Sequence, residues 1–170
     1  AQAWRALPQQ RRDFGGRQRQ DFVLQWAGVQ DELERRLRQA GWEQAPAMNV
    51  KNILLWLSPR VALRELPVLP QIHGGSEDDL TWVRYDASPD ARWLLRFWDV
   101  GARLREGGQT VWVGSVTQQK LEPRMRLFTF AVDDPQTRAP VNLLAPAWQG
   151  LRMRVVRGMN PNERITLIAD

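Results

Sequence analysis

Three consecutive segments of this chain alternate large apolar residues with other residues, and this alternation constrains the fold most. The segments are Leu80–Tyr85, Arg92–Trp98 and Thr110–Thr117, and turns containing glycine, proline and aspartate separate them. Side chains of a β-strand point alternately to the two faces of a sheet, so a period of two predicts three strands. The turns between them favour antiparallel pairing. Gly114, inside the third segment, predicts a bulge or a close backbone approach.

Shorter alternating segments predict the remaining strands. They lie at 22–26, 127–132, 151–157 and 164–168. A short helix is expected near Leu143 and Leu144, where the pattern is broken. The sequence therefore predicts six or seven mostly antiparallel strands.

Two helices are predicted before these strands. In Val29–Ala40 an apolar stripe contains Leu33 and Leu37, acidic residues precede arginines, and Gly41 follows at the position where helices commonly end. A second helix is expected from Asn49 to Leu57. Together with the strands, these helices predict an α+β domain in which both helices pack on the sheet.

The length and composition of the chain limit the number of domains and the kinds of site that it can contain. The 170 residues fit one domain, which we place at 21–170 after an N-terminal arm at 1–20 that shows no sustained period. The chain has no cysteine, which excludes disulfides and thiolate metal sites. Its longest apolar run, Ile53–Leu57, is far shorter than the roughly 20 residues of a membrane-spanning helix. No signal peptide is visible.

The charge balance is basic and depends on arginine. The net charge is +5, and all of the 24 basic residues except Lys51 and Lys120 are arginine. Such a bias is typical of GC-rich genomes, but arginine also suits bidentate phosphate recognition. A basic face would fit nucleic acid, anionic lipid or a phosphorylated substrate.

Polar residues among the aromatic ones are the candidates for a ligand site. His73, the single histidine, follows a proline-containing stretch and precedes two glycines, so a structural, a ligand-binding and a catalytic role are all open. An arginine on a tryptophan-bearing strand could hold a phosphate or a sugar ring, or could extend from a buried face to solvent. The candidate ligand-binding residues are Gln71, His73, Arg84, Arg96, Trp98 and Trp112.

Known catalytic motifs are missing from the sequence. It contains no Gly-x-Ser-x-Gly, no His-Glu-x-x-His and no Walker-type loop. A single histidine without cysteine disfavours zinc. We therefore predict no catalytic residue, no metal ligand and no cofactor.

Four stretches carry a resemblance to a known family. They are Trp56-Leu57-Ser58-Pro59, Leu66 to Gly74, Leu94 to Trp98, and Val111 to Val116. With these motifs the chain resembles the LssY-type C-terminal domain from about residue 4 to 116. That domain is commonly appended to bacterial inner-membrane proteins with DedA-like or type 2 phosphatidic-acid-phosphatase modules. In many relatives a stretch rich in histidine and aspartate follows, whereas 128–136 of this chain holds no histidine.

The resemblance implies a context and leaves several functions open. It implies an extramembrane accessory domain on the periplasmic side, with a membrane-embedded partner module upstream of Ala1. Such a domain would bind a partner, an anionic lipid headgroup or a phosphorylated glycan. The first alternative is a hydrolase of phosphorylated lipids or glycans, with His73 as acid and base. The second is nucleic-acid binding, which rests on the basic charge alone and lacks a recognised motif.

Overall fold

Strands dominate the regular structure of this protein. The computed structural model describes residues 6–12, 18–46, 55, 61–105, 107–124, 128–134, 141–157 and 164–169. The helices in these ranges are α1 (Gln30–Gln39), the single-turn α2 (Val141–Leu144) and a 3-10 helix (Ala145–Trp148). The strands are β1 (Gln10–Arg12), β2 (Gln18–Asp21), β3 (Leu24–Ala27), β4 (Glu43–Gln44), β5 (Ile72–His73), β6 (Ser76–Glu77), β7 (Leu80–Tyr85), β8 (Ala91–Arg103), β9 (Thr110–Arg124), β10 (Phe128–Asp134), β11 (Arg152–Arg157) and β12 (Arg164–Ala169).

Eight of these strands form one sheet. Seven follow the order β11-β12-β3-β9-β8-β7-β4, and β10 pairs with β9 beside that path. The long β9 has two neighbours on one edge, because β3 pairs with Val111–Gly114 and β10 pairs with the part from Gln118 onwards. The pair β12–β3 is parallel, and the other pairs of this sheet are antiparallel. Two further hairpins, β1–β2 and β5–β6, lie outside the sheet.

One face of the sheet, here called the helix face, carries the main core. Residues of β8 that point to this face pack with tryptophans and with Leu33 and Leu37 of α1. These two leucines are fully buried, as the predicted apolar stripe requires. The larger core members are Trp26, Trp42, Trp82, Trp93, Phe97, Trp112 and Trp148.

The opposite face is covered by an irregular extended segment. We call residues 61–71 the strap and the face beneath it the strap face. Val61, Leu63 and Leu66 of the strap are buried in one cluster, and Val68 packs against Val83 and Leu94 of the sheet. The strap leads directly into β5, so its position also fixes the β5–β6 hairpin.

The predicted helix at 29–40 is confirmed to within one residue at each end. Its ion pairs include Arg36 Nε to Glu32 Oε1 at 2.5 Å and Arg38 Nη2 to Glu34 Oε2 at 2.8 Å. Gly41 has φ +82°, a conformation that glycine adopts without the steric cost of a Cβ atom. In the described ranges, no helix is long and apolar enough to cross a bilayer.

The prediction of two N-terminal helices on the sheet is wrong. Only α1 is seen in the described N-terminal ranges, and the predicted helix at 49–57 lies outside them except for Leu55. The antiparallel character was predicted correctly, but the sheet has eight strands rather than six or seven. The missed strand is β4, whose two residues pair with Val83 and Trp82 and are too few to show an alternation. The predicted strand at 151–157 is found as β11.

Gly114 lies where side chains of both neighbouring strands approach the backbone of β9, whereas the sequence predicted a bulge or a close approach of another backbone. A Cβ atom at this position would lie 2.5 Å from Leu24 Cδ1 and 3.1 Å from Phe97 Cε1. Both neighbours are buried, so neither can move away without disturbing the core.

We expect Gly114→Ala to lower the free energy of unfolding by about 1–3 kcal/mol, because the added methyl group overpacks the core. Chemical denaturation measures this change. The control is Ser115→Ala on the same strand. Among the described residues the buried hydroxyl of Ser115 has no hydrogen-bond partner, so its loss should cost little. Equal stability of Gly114→Ala and the unmodified chain would contradict the close packing.

Candidate functional site

The six predicted ligand-binding residues do not converge on one site, because they are divided between the two faces of the sheet. Arg96 lies opposite Ser115 on the strap face, whereas Arg84 lies opposite Trp93 on the helix face. Trp98 shares the strap face with Arg96, and Trp112 belongs to the core of the helix face. Gln71 and His73 lie in the segment that covers the strap face.

Arg84 and Trp112, the two candidates on the helix face, make contacts within the fold. Arg84 Nη1 donates a hydrogen bond of 3.0 Å to the carbonyl oxygen of Leu143, which ties β7 to α2. Trp112 is buried and lies opposite Trp26 in the pairing of β9 with β3. Neither side chain reaches the face that carries Arg96.

Arg96 is buried in a polar cluster beneath the strap. Its side chain is 1% exposed, and Nη1 lies 3.7 Å from Asp133 Oδ2. Nη1 also donates to Thr117 Oγ1 at 3.3 Å, and Nη2 donates to the Leu69 carbonyl at 3.5 Å. Burial lowers the pKa of Arg96, while the carboxylates of Asp133 and Asp78 oppose that shift. The guanidinium of Arg96 is therefore engaged in contacts that hold the fold together.

Arg92 was not among the predicted residues, yet it makes the densest contacts on this face. Its guanidinium donates to the strap carbonyls of Leu63 at 2.9 Å, Leu66 at 2.8 Å and Pro67 at 3.3 Å, and to Gln119 Oε1 at 2.9 Å. Burial lowers the pKa of Arg92 to about 10, so it stays charged at neutral pH. Its place two strand positions from Leu94 and four from Arg96 was the available sequence signal.

Asp133 of β10 was not among the predicted residues either. It connects β10 to the strap, to β8 and to β9. Its carboxylate accepts from Gln71 Nε2 at 2.6 Å and from Gln119 Nε2 at 2.7 Å, besides facing Arg96. At the end of the strap, the Gln71 backbone N–H donates to Asp78 Oδ1 at 2.5 Å. Burial raises the pKa of Asp78, and its hydrogen bond from Gln71 opposes that shift. Gln71 is therefore a structural link between the strap and β10.

His73 lies at the end of β5, where a different set of residues meets. Its ring packs edge-on against Phe22, with ring centroids 5.0 Å apart, and lies 6.2 Å from Trp98. The Arg12 backbone N–H donates to His73 Nδ1 at 3.2 Å, and Arg11 Nη1 donates to the Ile72 carbonyl at 2.8 Å. Both arginines belong to β1, inside the segment predicted as an arm.

These contacts determine where the proton of His73 resides. Because Nδ1 accepts a hydrogen bond, the neutral ring carries its proton on Nε2. Partial burial lowers the pKa of His73, and the positive charges of Arg11 and Arg12 lower it further. The ring therefore offers an N–H donor beside two guanidinium groups. We call His73, Arg11 and Arg12 the anion site.

A cleft beside α1 and the acidic side chains of the described residues are weaker candidates for a binding site. A cleft of about 250 Å³ between α1 and the 3-10 helix is lined in part by Arg36, which is already bonded to Glu32 and to the Gln149 carbonyl. No group of three or more histidine, aspartate or glutamate side chains in the described part of the chain could hold a metal ion.

Comparisons with known proteins identify one family. A family model described as LssY C-terminus matches residues 4–142. The match extends beyond the motifs that end near residue 116, and it contains the anion site and the strap. No significant similarity to a curated protein or to a solved structure was found.

His73 should make the stability of the fold depend on pH. Its folded-state pKa is lowered from 6.5, so below that pH the unfolded chain binds a proton that the folded chain does not. The free energy of unfolding should therefore decrease as the pH falls through about 6.5. Denaturation of the chain and of His73→Gln across this range measures the effect as their difference. The stability of the unmodified chain relative to His73→Gln should fall as the pH falls, and a relative stability that rises as the pH falls would contradict the assigned environment.

Arg92 should be essential for holding the strap. Arg92→Lys is expected to lower the free energy of unfolding by about 3 kcal/mol, since an ammonium group cannot span the carbonyls that the guanidinium fork reaches. Denaturant titration measures this loss. Arg35→Lys is the matched control, because Arg35 is exposed and pairs with Glu32 at the surface. Similar small losses in both variants would show that the strap does not depend on Arg92.

Proposed function

Because the chain belongs to the LssY C-terminus family, we propose that it is a non-catalytic accessory domain that binds a phosphate-bearing group at the anion site. The observation that carries this proposal is the hydrogen bond from the Arg12 backbone N–H to His73 Nδ1. It sets the Nε2–H tautomer, so the imidazole acts as a hydrogen-bond donor next to Arg11 and Arg12. Donors of this kind suit an anion.

Phosphate fits the anion site for electrostatic and geometric reasons. The side chain of Arg12 is exposed, and both arginines act electrostatically on His73. Hydrogen bonds from guanidinium groups to phosphate are roughly twice as strong as neutral ones, and the planar fork can bind two oxygens. Phe22 and Trp98 beside the imidazole restrict its orientation. A bound phosphate would also favour protonated His73 and so raise its pKa.

The same geometry argues against His73 as a nucleophile or general base. Either role at Nε2 needs a lone pair on that nitrogen, and the neutral ring then has to carry its proton on Nδ1. Nδ1 instead faces the N–H donor of Arg12, which opposes that tautomer. Among the described residues, the charged groups that shift the pKa of the ring are cations, whereas a carboxylate usually orients a catalytic histidine.

The family context supplies the wider proposal. We place the domain on the periplasmic side of a bacterial inner membrane, attached to a lipid-phosphatase type module. The phosphate-bearing group would then belong to an anionic lipid headgroup or to a phosphorylated glycan. The resemblance of the motifs supports this placement, and the basic net charge of +5 favours an anionic surface.

Nuclear magnetic resonance tests the binding proposal directly, because the chain has one histidine. Titration with inorganic phosphate should raise the pKa of His73, and nitrogen shifts should identify the Nε2–H tautomer before phosphate is added. Arg12→Gln should weaken phosphate binding about tenfold, since it removes one charged donor but keeps the backbone N–H that holds His73. Glycerol 3-phosphate, glucose 6-phosphate and vesicles containing phosphatidic acid then distinguish lipid from glycan sources.

The control variant is Arg105→Gln, which removes the same charge at an exposed position in the turn between β8 and β9. Equal weakening by both variants would indicate diffuse surface charge and contradict the site. Turnover of phosphatidic acid or of an aryl phosphate that is lost in His73→Ala would support the hydrolase instead. Preferential binding of an oligonucleotide through the same arginines would support the nucleic-acid alternative.

A further inference from the structure

The strand β11 lies at one edge of the sheet. Its side chains are mostly exposed, and they are arginines and apolar residues. In the described part of the chain it pairs with β12 and with no other strand. Its sequence is Arg-Met-Arg-Val-Val-Arg, and five of its six residues are exposed. An open strand edge presents unpaired backbone N–H and C=O groups that another extended chain can pair with. β11 also lies outside the residues that the family model matches.

The two faces of β11 differ in chemistry. Met153 lies opposite Ile168, which is fully buried in the core of the helix face. Met153 and Val155 therefore continue that apolar face outward, but they are 54% and 58% exposed. Arg152 and Arg154 point to the other face, because side chains alternate along a strand. Arg157 follows on the first face and Val156 on the second. From Arg152 to Val155 the edge is thus apolar on one side of the sheet and basic on the other.

We propose that β11 is a docking edge for an extended acidic segment of a partner protein, which adds to the sheet as a ninth strand. Pairing of the backbones would place alternate side chains of the partner on the two faces. Apolar residues of the partner would cover Met153 and Val155, and acidic residues would lie across from Arg152 and Arg154. The expected partner sequence therefore alternates acidic and β-branched apolar residues.

The arginines and the open backbone groups of β11 disfavour two other occupants of this edge, a second copy of the chain and an anionic membrane. A second copy of this chain would bring arginines next to arginines, and like charges on neighbouring strands destabilise the pairing. An anionic membrane would attract the arginines but would offer no backbone partners to the open edge. An acidic strand satisfies the backbone groups, the exposed apolar side chains and the arginines together.

A synthetic peptide tests this proposal on the full chain. The probe is a capped peptide of alternating glutamate and valine, long enough to pair with the six residues of β11. It should bind at physiological ionic strength and slow the hydrogen exchange of β11 amides. The double variant Arg152→Glu, Arg154→Glu should weaken binding about tenfold, because two favourable cross-strand pairs become repulsive. Val155→Thr should also weaken binding, since it keeps the branched shape but removes apolar contact.

The control is the double variant Arg12→Glu, Arg105→Glu, which changes the net charge equally at exposed positions far from β11 in sequence. It should lose phosphate binding at the anion site and keep peptide binding, so the two proposals can fail separately. Thermal unfolding checks that every variant is folded. The proposal is overturned by equal weakening in both double variants, by equal binding of a lysine–valine peptide, or by unchanged exchange at β11. Self-association through β11, or binding to anionic vesicles without peptide binding, would overturn it too.

Discussion

Two buried guanidinium groups on one face of the sheet determine how the rest of this domain is built. Arg92 and Arg96 are 0% and 1% exposed, and a buried charge needs hydrogen-bond acceptors and a counter-charge. Helix carbonyls are already bonded within the helix, so a helix packed on this face would leave the guanidiniums without partners. An extended segment has carbonyls to offer, and the strap supplies them from Leu63, Leu66, Pro67 and Leu69. A helix on one face and a strap on the other follow from this requirement.

The buried cluster also positions the candidate anion site. Gln71 ends the strap and is fixed by Asp78 and Asp133, so the chain enters β5 in a defined place. His73 follows two residues later and meets β1, where Arg11 bonds to the Ile72 carbonyl. The backbone contact that sets the tautomer of His73 thus depends on a rigid strap. Arg96, predicted as a ligand-binding residue, acts on this site only by organising the segment that carries His73.

The periodicity of the sequence predicted most of the helices and strands. It did not predict contacts between residues that are distant in the sequence. The helix at 29–40 and the strands at 80–85 and 151–157 are local properties, so sequence spacing was sufficient. The division of Arg84 and Arg96 between two faces depends on the register of β7 against β8, which spacing within one strand does not contain. The contacts of Asp133 with Gln71 and of Arg12 with His73 span 62 and 61 residues. A pattern read along the chain cannot reveal such pairs.

The basic charge of the chain separates into parts with different physical consequences. The guanidiniums of Arg92 and Arg96 are buried and hydrogen-bonded beneath the strap, and those on α1 are paired with glutamates of the same helix. Such charges add to the net value of +5 without creating a binding surface. Arg12 near His73 and the arginines of β11 are exposed, and they lie on different strands. Because nucleic acid usually requires a continuous basic surface, this separation favours two local anionic contacts, one with a compact phosphate and one with an extended acidic strand.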